Sequence, residues 1–351
     1  MAILPTYPGV YIQEIPSGVR TISGVSTSTT LFIGRAVRGP LNKPVLCLGL
    51  GDFERAFSVD PAQSELHYSV RLFFENGGSQ CYVMRIANNA QSAKLKIRNE
   101  DGTSDALEVT AKEAGLLGNM IRMGVTYRGL LPESTFDLEV FQWLTNSQGV
   151  MNPQRREVHK GLSMDPSSPR YAIDVVNTNS QLIELKDPEQ ASLTAGTSLS
   201  GRPVGNGPSW KSNWANILGS TATTNKFRIS VNRQPFVEVD LQSIVVADQA
   251  TLNDLETAIQ NNIEAAVGGG LTVPVSTVTG PNSGPNPGEA TVQLQIAFAT
   301  GDVLIEPAPT NDLTVPLMLG TAQGGIEMSR YAARRPAPTG TVYKLANLVS
   351  S

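Results

Sequence analysis

The chain has 351 residues, with 27 Lys and Arg against 31 Asp and Glu, a formal net charge of −4, and 40% hydrophobic and 17% charged residues. That is room for two or three domains with real cores, and the apolar content excludes a wholly disordered chain. The acidic balance excludes a general binder of nucleic acid or anionic membrane, which needs an excess of Lys and Arg.

Two cysteines, Cys47 and Cys81, make neither a disulfide framework nor a zinc site by themselves, and two histidines, His67 and His159, leave little for acid–base chemistry. The N-terminal MAILPTYPGV has no basic n-region. No run approaches the roughly 18–20 apolar residues of a membrane-spanning helix.

Residues 1–30 read as an extended arm and tether. VYIQEI, Val10 to Ile15, alternates as a short strand between Pro8-Gly9 and Pro16. SGVRTISGVSTSTT (17–30) is rich in Ser, Thr and Gly, a loose tether. Fully extended it spans up to roughly 46–50 Å. The strand therefore either folds back into its own sheet or reaches another subunit.

Residues 31–90 predict a small α/β unit. LFIG (31–34) and PVLCLGL (44–50) are apolar strands, and Asp52 caps a single turn, DFERAF. A helix over 62–76 has Leu66, Val70, Phe73 and Phe74 on one stripe, Asp60 as N-cap, Pro61 at N1, and Gly77-Gly78 as its stop. QCYVMRIA (80–87) is a strand, and strand–helix–strand spacing favours a right-handed parallel crossover.

From 91 to 187 the period is two, predicting a β-rich outer domain. Strands are expected at 93–99, 107–112, 120–127, 136–142 and 170–176, with a polar loop at 143–168. Residues 188–330 predict a second α+β outer region. It opens with a long loop over 188–216, pinned by Trp210 and Trp214. A hairpin follows, 227–232 with 236–241. The region continues with a helix at 252–266, which Thr251 and Asp254 cap and Gly268 ends. A turn-dense 280–288 leads to a strand at 291–298. Overall this is an α+β multi-domain chain, its β-rich parts antiparallel or barrel-like.

Site chemistry is sparse. Gly49-Leu-Gly51 follows a strand, but Glu54 stands where the third glycine of a dinucleotide fingerprint belongs. Gly268-Gly269-Gly270 lacks the Lys and Ser/Thr of a phosphate loop and follows a helix. His67 lies off the apolar stripe of its helix and reads as a surface side chain; His159 reads as part of a polar loop. Arg155-Arg156 and Arg334-Arg335 read as solvated spots, and the cysteines as reduced core residues. No catalytic residue, metal ligand or cofactor is expected. An unrecognised enzyme using His67 or His159 stays open as a rival. So does a β-rich binding module of a particle surface, carbohydrate-directed, stacking sugars on Trp210 and Trp214.

YPGVYIQEI (7–15), STSTTLFIGRAVRGPLNKPVLCLGLGDFERAFS (26–58) and ELHYSVRLFFENGGSQCYVMRIA (65–87) together resemble the N-terminal part of contractile tail sheath proteins. The resembling motifs are Pro8–Glu14, Thr29/Thr30 with Phe32–Gly34, Asp52–Phe57 and Phe73–Arg85. LEVTAKEAGLLGN (107–119) continues the pattern with Leu117 where the family has Trp, and 136–141 and 170–185 also fit. Several unlike motifs in the right order, over about half the chain, make the resemblance specific.

The resemblance implies a structural subunit that polymerises around an inner tube and contracts to drive it through a target envelope. The partners it implies are other sheath subunits in stacked hexameric rings, the inner tube protein, and baseplate and tail-terminator proteins, without nucleic acid or direct membrane insertion. The location it implies is a virion tail or phage-tail-like particle assembled in the bacterial cytoplasm. Family members exchange terminal arms between subunits, which implies an intersubunit strand for Val10, Tyr11, Ile12, Gln13, Glu14 and Ile15. They also continue past a segment like RRPAPTG into a C-terminal domain. Residues 331–351 are accordingly expected to lead to a domain absent here, and the chain to be the N-terminal two-thirds of a subunit.

Overall fold

The computed structural model describes residues 29–57, 64–145, 148–218, 224–283, 290–339 and 343–344. The chain divides into two compact units, Met1–Asn88 and Asn89–Ser351. Val10–Ile15 lies outside the described residues.

The first unit contains β1 (Thr30–Gly34), β2 (Pro44–Cys47), α1 (Leu50–Phe57), α2 (Glu65–Glu75) and β3 (Cys81–Arg85). The strands form one sheet in the order β1-β3-β2. β3 runs parallel to β1, with Phe32 opposite Val83, and antiparallel to β2, with Cys47 opposite Cys81. The parallel partner of β3 is thus β1, not the strand directly before the helices. The reason is the segment after β1, which reverses the chain using left-handed backbone at Gly39 (φ 105°) and Asn42 (φ 56°). Arg85 pins that reversal, donating from Nε to Ala36 O at 3.0 Å and from Nη1 to Gly39 O at 2.9 Å.

Helices α1 and α2 cover one sheet face, burying Phe53, Phe57, Leu66 and Val70 against Cys47, Cys81 and Val83. The expected strand over 44–50 stops at Cys47, and the single turn at Asp52 is two turns of helix. Asp52 still serves its start, accepting from Leu48 N at 3.0 Å. Phe53 and Phe57, one turn apart, stack at 5.5 Å. The cap of α2 is Ser64, whose hydroxyl accepts from Leu66 N and donates to Arg35 O; Asp60 and Pro61 lie outside the described residues. Gly34 lets β1 approach α2, since a Cβ there would stand 3.1 Å from Leu66 Cβ.

The second unit opens with β4 (Lys94–Arg98), β5 (Asp105–Ala111), β6 (Ile121–Thr126), β7 (Thr135–Thr145), β8 (Met151–Ser163), α3 (Ala172–Asn179) and β9 (Ile183–Lys186). Two antiparallel sheets, β4-β5-β9 and one containing β6-β7-β8, share a core of Ile97, Leu107, Val109, Ile121, Met123, Phe136, Leu138 and Leu162. The strands alternate as their sequences predict, inward residues apolar. The expected polar loop over 143–168 is instead largely β8, a strand whose outward Arg156, Val158 and Lys160 disguise it. The expected strand at 170–176 is α3. Its Ala172 and Val176 are buried one turn apart, and Asn177 locks it to β9 by bonds with Leu185 N (2.7 Å) and Leu185 O (2.9 Å). Packing here overrides the strand preference of Ile173, Val175 and Val176.

The unit continues with β10 (Gly196–Leu199), β11 (Val204–Gly205), α4 (Trp210–Leu218), β12 (Lys226–Val231), β13 (Val237–Asp240), α5 (Leu252–Val267), β14 (Val275–Ser283), β15 (Ala290–Phe298), β16 (Val303–Pro307), α6 (Thr314–Leu317), β17 (Ile326–Met328) and β18 (Tyr343–Lys344). A second core gathers Trp214, Phe227, Ile229, Leu255, Ile259, Ile263, Ile296 and Val303. The β12–β13 hairpin closes through Asn232 (φ 51°) and Arg233 (φ 62°), the two left-handed residues of a type I′ turn. α5 begins with the expected capping box of Thr251 and Asp254 and ends at Gly268 (φ 71°). The expected loop over 188–216 contains β10, β11 and the start of α4.

The segment after β17 packs back on the first sheets of this unit. Ala337 N donates to Arg98 O, Thr339 N to Val125 O, and β18 pairs β6. The architecture is mixed α+β. Among the described residues every strand pair except β1–β3 is antiparallel, and no strand order returns on itself, so the sheets are open rather than barrel-like.

Candidate functional site

Among the described residues, the sheet of the first unit has one clothed face and one bare face. Alternation sends Phe32, Val45, Cys47, Cys81 and Val83 toward the helices. The residues between them point the other way. Leu31 is 50% exposed, Ile33 52%, Leu46 44% and Tyr82 39%. Register aligns them into rows: Leu31, Tyr82 and Leu46 in one, Ile33, Met84 and Pro44 in the next. No charged side chain belongs to either row. β1 and β2 are the outer strands, so their far edges have no sheet partner among the described residues.

Scattered exposed apolar side chains are ordinary, but a contiguous uncharged patch marks an interaction surface. A sheet face left to water normally carries polar side chains. This one therefore offers two kinds of contact: an apolar face for packing and an open strand edge for backbone pairing.

The motif residues of the sequence build this unit rather than a pocket. Phe32 and Phe73 meet edge to face at 5.5 Å. Gly78 lies under the Phe73 ring, where a Cβ would come within 2.4 Å of the ring and does not fit. Farther on, Gly118 fits between Ala93 and Ala111, which a Cβ there would meet at 2.9 and 3.2 Å.

The candidates for chemistry disperse. His67 is buried, not a surface side chain, with its ring 5.7 Å from that of Phe53; α1 walls in the flank of α2 that the sequence left to solvent. His159 is also buried, on β8 rather than in a loop, and Nε2 stands 3.8 Å from Glu157 Oε2. Glu157 is occupied elsewhere, accepting from Ser180 Oγ at 2.6 Å and Gln181 N at 2.9 Å. Cys47 and Cys81 are free and buried; burial, then Cys81 and Asp52, push the Cys47 thiol up to about 11, so it stays a protonated core group.

Trp214 is 1% exposed and cannot stack a sugar, while Trp210 is half-buried against the same core with Lys211 over its ring. Glu54 lies within α1, after Gly49 and Gly51. Arg155 and Arg156 contact Glu113 (4.0 Å) and Glu139 (2.7 Å). Arg335 is buried rather than solvated. Among the described residues no group of three or more His, Cys, Asp or Glu could hold a metal ion, and no helix is long and apolar enough to cross a membrane.

Among solved structures, a sheath tail protein from Listeria innocua aligns with 47% of this chain and 31% of its own, at 16% identity and a TM-score of 0.30. A second, from Desulfitobacterium hafniense, aligns with 52% of this chain and 36% of its own, at 12% identity and a TM-score of 0.29. The chain is similar to sheath tail proteins. The likeness spans only about a third of each of those chains, and neither alignment decides what this chain does. No family model and no curated protein matches the chain.

Proposed function

We propose that this chain is part of a structural subunit of a contractile tail sheath. It polymerises with copies of itself around an inner tube, its arm Val10–Ile15 added as a strand to a neighbouring subunit. The observation that carries this reading is the ordered set of motifs across 7–15, 26–58, 65–87 and 107–119. The bare sheet face supports it. That face measures about 14 Å by 17 Å, or some 240 Å². A stable interface needs roughly 800 Å² per partner. The face is thus one part of a composite contact, completed by backbone pairing of exchanged strands.

In this reading the residues 1–30 are arm and tether, 31–90 the conserved unit, 91–187 and 188–330 outer regions, and 331–351 a connection onward. The work is mechanical. The free energy of contraction comes from better subunit contacts in the contracted state, and no residue turns over a substrate. Negative-stain electron microscopy of the purified full-length protein tests it: ordered tubes form without nucleotide. Assembly that requires ATP, or a protein that stays monomeric at every concentration, contradicts it.

A further inference from the structure

The sequence holds two Asn-Gly pairs, Asn76-Gly77 and Asn206-Gly207. The dipeptide has a chemistry of its own. Glycine has no Cβ to shield its backbone nitrogen. That nitrogen can therefore reach the side-chain carbonyl carbon of the asparagine before it. Whether it does so depends on how the fold holds the two groups.

At the first pair both groups are held. Asn76 ends α2, and its Nδ2 donates to Leu72 O at 2.7 Å, with its backbone N on the same oxygen at 3.0 Å. Gly77 N donates to Phe74 O at 3.2 Å. The amide and the nitrogen are each tied back to the last turn of the helix, so neither is free to meet the other.

The second pair differs on each count. Asn206-Gly207 joins the end of β11 to α4. Asn206 is exposed, and among the described residues neither its side chain nor Gly207 N makes a hydrogen bond. Gly207 O accepts from Trp210 N at 3.0 Å. That bond fixes the next peptide unit and leaves the reacting one unheld.

We propose that Asn206 is a site of spontaneous deamidation in the folded protein and that Asn76 is protected from it. Hydroxide takes the proton of Gly207 N, and the nitrogen attacks Asn206 Cγ. The new N–Cγ bond closes a succinimide ring as the Cγ–Nδ2 bond breaks, and the leaving nitrogen takes a proton from water and departs as ammonia. Water then opens the ring at either carbonyl, giving aspartate or isoaspartate, with no change of oxidation state. The product gains a negative charge. As isoaspartate it also gains a methylene in the main chain, just past the pairing of Val204 and Gly205 with β15.

Purified full-length protein is kept at mildly alkaline pH, folded or unfolded in urea. Peptide mapping by mass spectrometry reads the change from amide to acid, and hydroxylamine, which cleaves succinimide, reads the intermediate. In the folded protein acid accumulates at Asn206 at least about tenfold faster than at Asn76, where two hydrogen bonds must open first. In urea the two sites react alike. Asn206→Gln, whose longer side chain closes the ring poorly, abolishes the reaction there and melts as the parent does. An amide that persists at Asn206 in the folded protein while it is lost in urea overturns the proposal, as does Asn76 reacting as fast as Asn206 in the folded chain. Neither readout involves tube assembly, so this conclusion and the proposed function can fail separately.

Discussion

Arg335 sits with its guanidinium carbon 4.3 Å from the Tyr127 ring centre, donating to Glu100 at 2.8 Å and to the carbonyls of Pro132 and Ala332. Arg335→Ala removes that stacking and leaves the Ala332 carbonyl and the half-exposed Glu100 without this donor, so chemical denaturation should show a loss of about 1–3 kcal/mol. Nothing local in the sequence points to this, because Pro132 and Glu100 lie 203 and 235 residues away. Glu327 is legible only in three dimensions for the same reason. Burial raises its pKa above the usual 4.5, although the bond from Ile305 N works the other way. The folded chain therefore holds this proton more tightly than the unfolded one. The stability it contributes is full below the unfolded value and is lost as pH rises through the folded value. Glu327→Gln, which keeps the acceptor, should melt higher than the parent at pH 7 and equal it near pH 4.

At the scale of elements, α5 is the best-specified piece. Thr251 and Asp254 bond reciprocally at its start, and Leu255, Ile259 and Ile263 fall on one buried face. Thr251→Ala should cost about 1 kcal/mol in equilibrium unfolding, with the helix intact. Its caps and its period are local, so the sequence alone specified both. The same holds for the β12–β13 hairpin, whose turn residues announce themselves. α3 and β8 were misread because their decisive information is not local. α3 is a run of β-branched residues made helical by packing against β9, and β8 is an edge strand whose polar outward residues imitate a loop. His67 belongs with them: one helix face was legible from the apolar stripe, while the second wall supplied by α1 was not.

For the whole molecule, the described residues of the motifs that carry the family resemblance include packing residues of the first unit, such as Phe32, Phe53, Phe57 and Val83, and of the first sheets of the second, such as Leu107, Val109 and Ala111. Packing of this kind explains those residue types without any chemistry. The uncovered rows Leu31–Tyr82–Leu46 and Ile33–Met84–Pro44 were half legible: the strands were expected, but only their register shows that the second face is uniformly apolar. The arm itself, Val10–Ile15, lies outside the described residues, and the proposed function turns on its exchange between subunits. The most direct measurement is deletion of residues 1–16 from the full-length protein, followed by electron microscopy and a thermal melt of the monomer. Long tubes should vanish while the melting temperature stays nearly unchanged. Tubes of normal length, or a monomer that melts far lower without the segment, would contradict it.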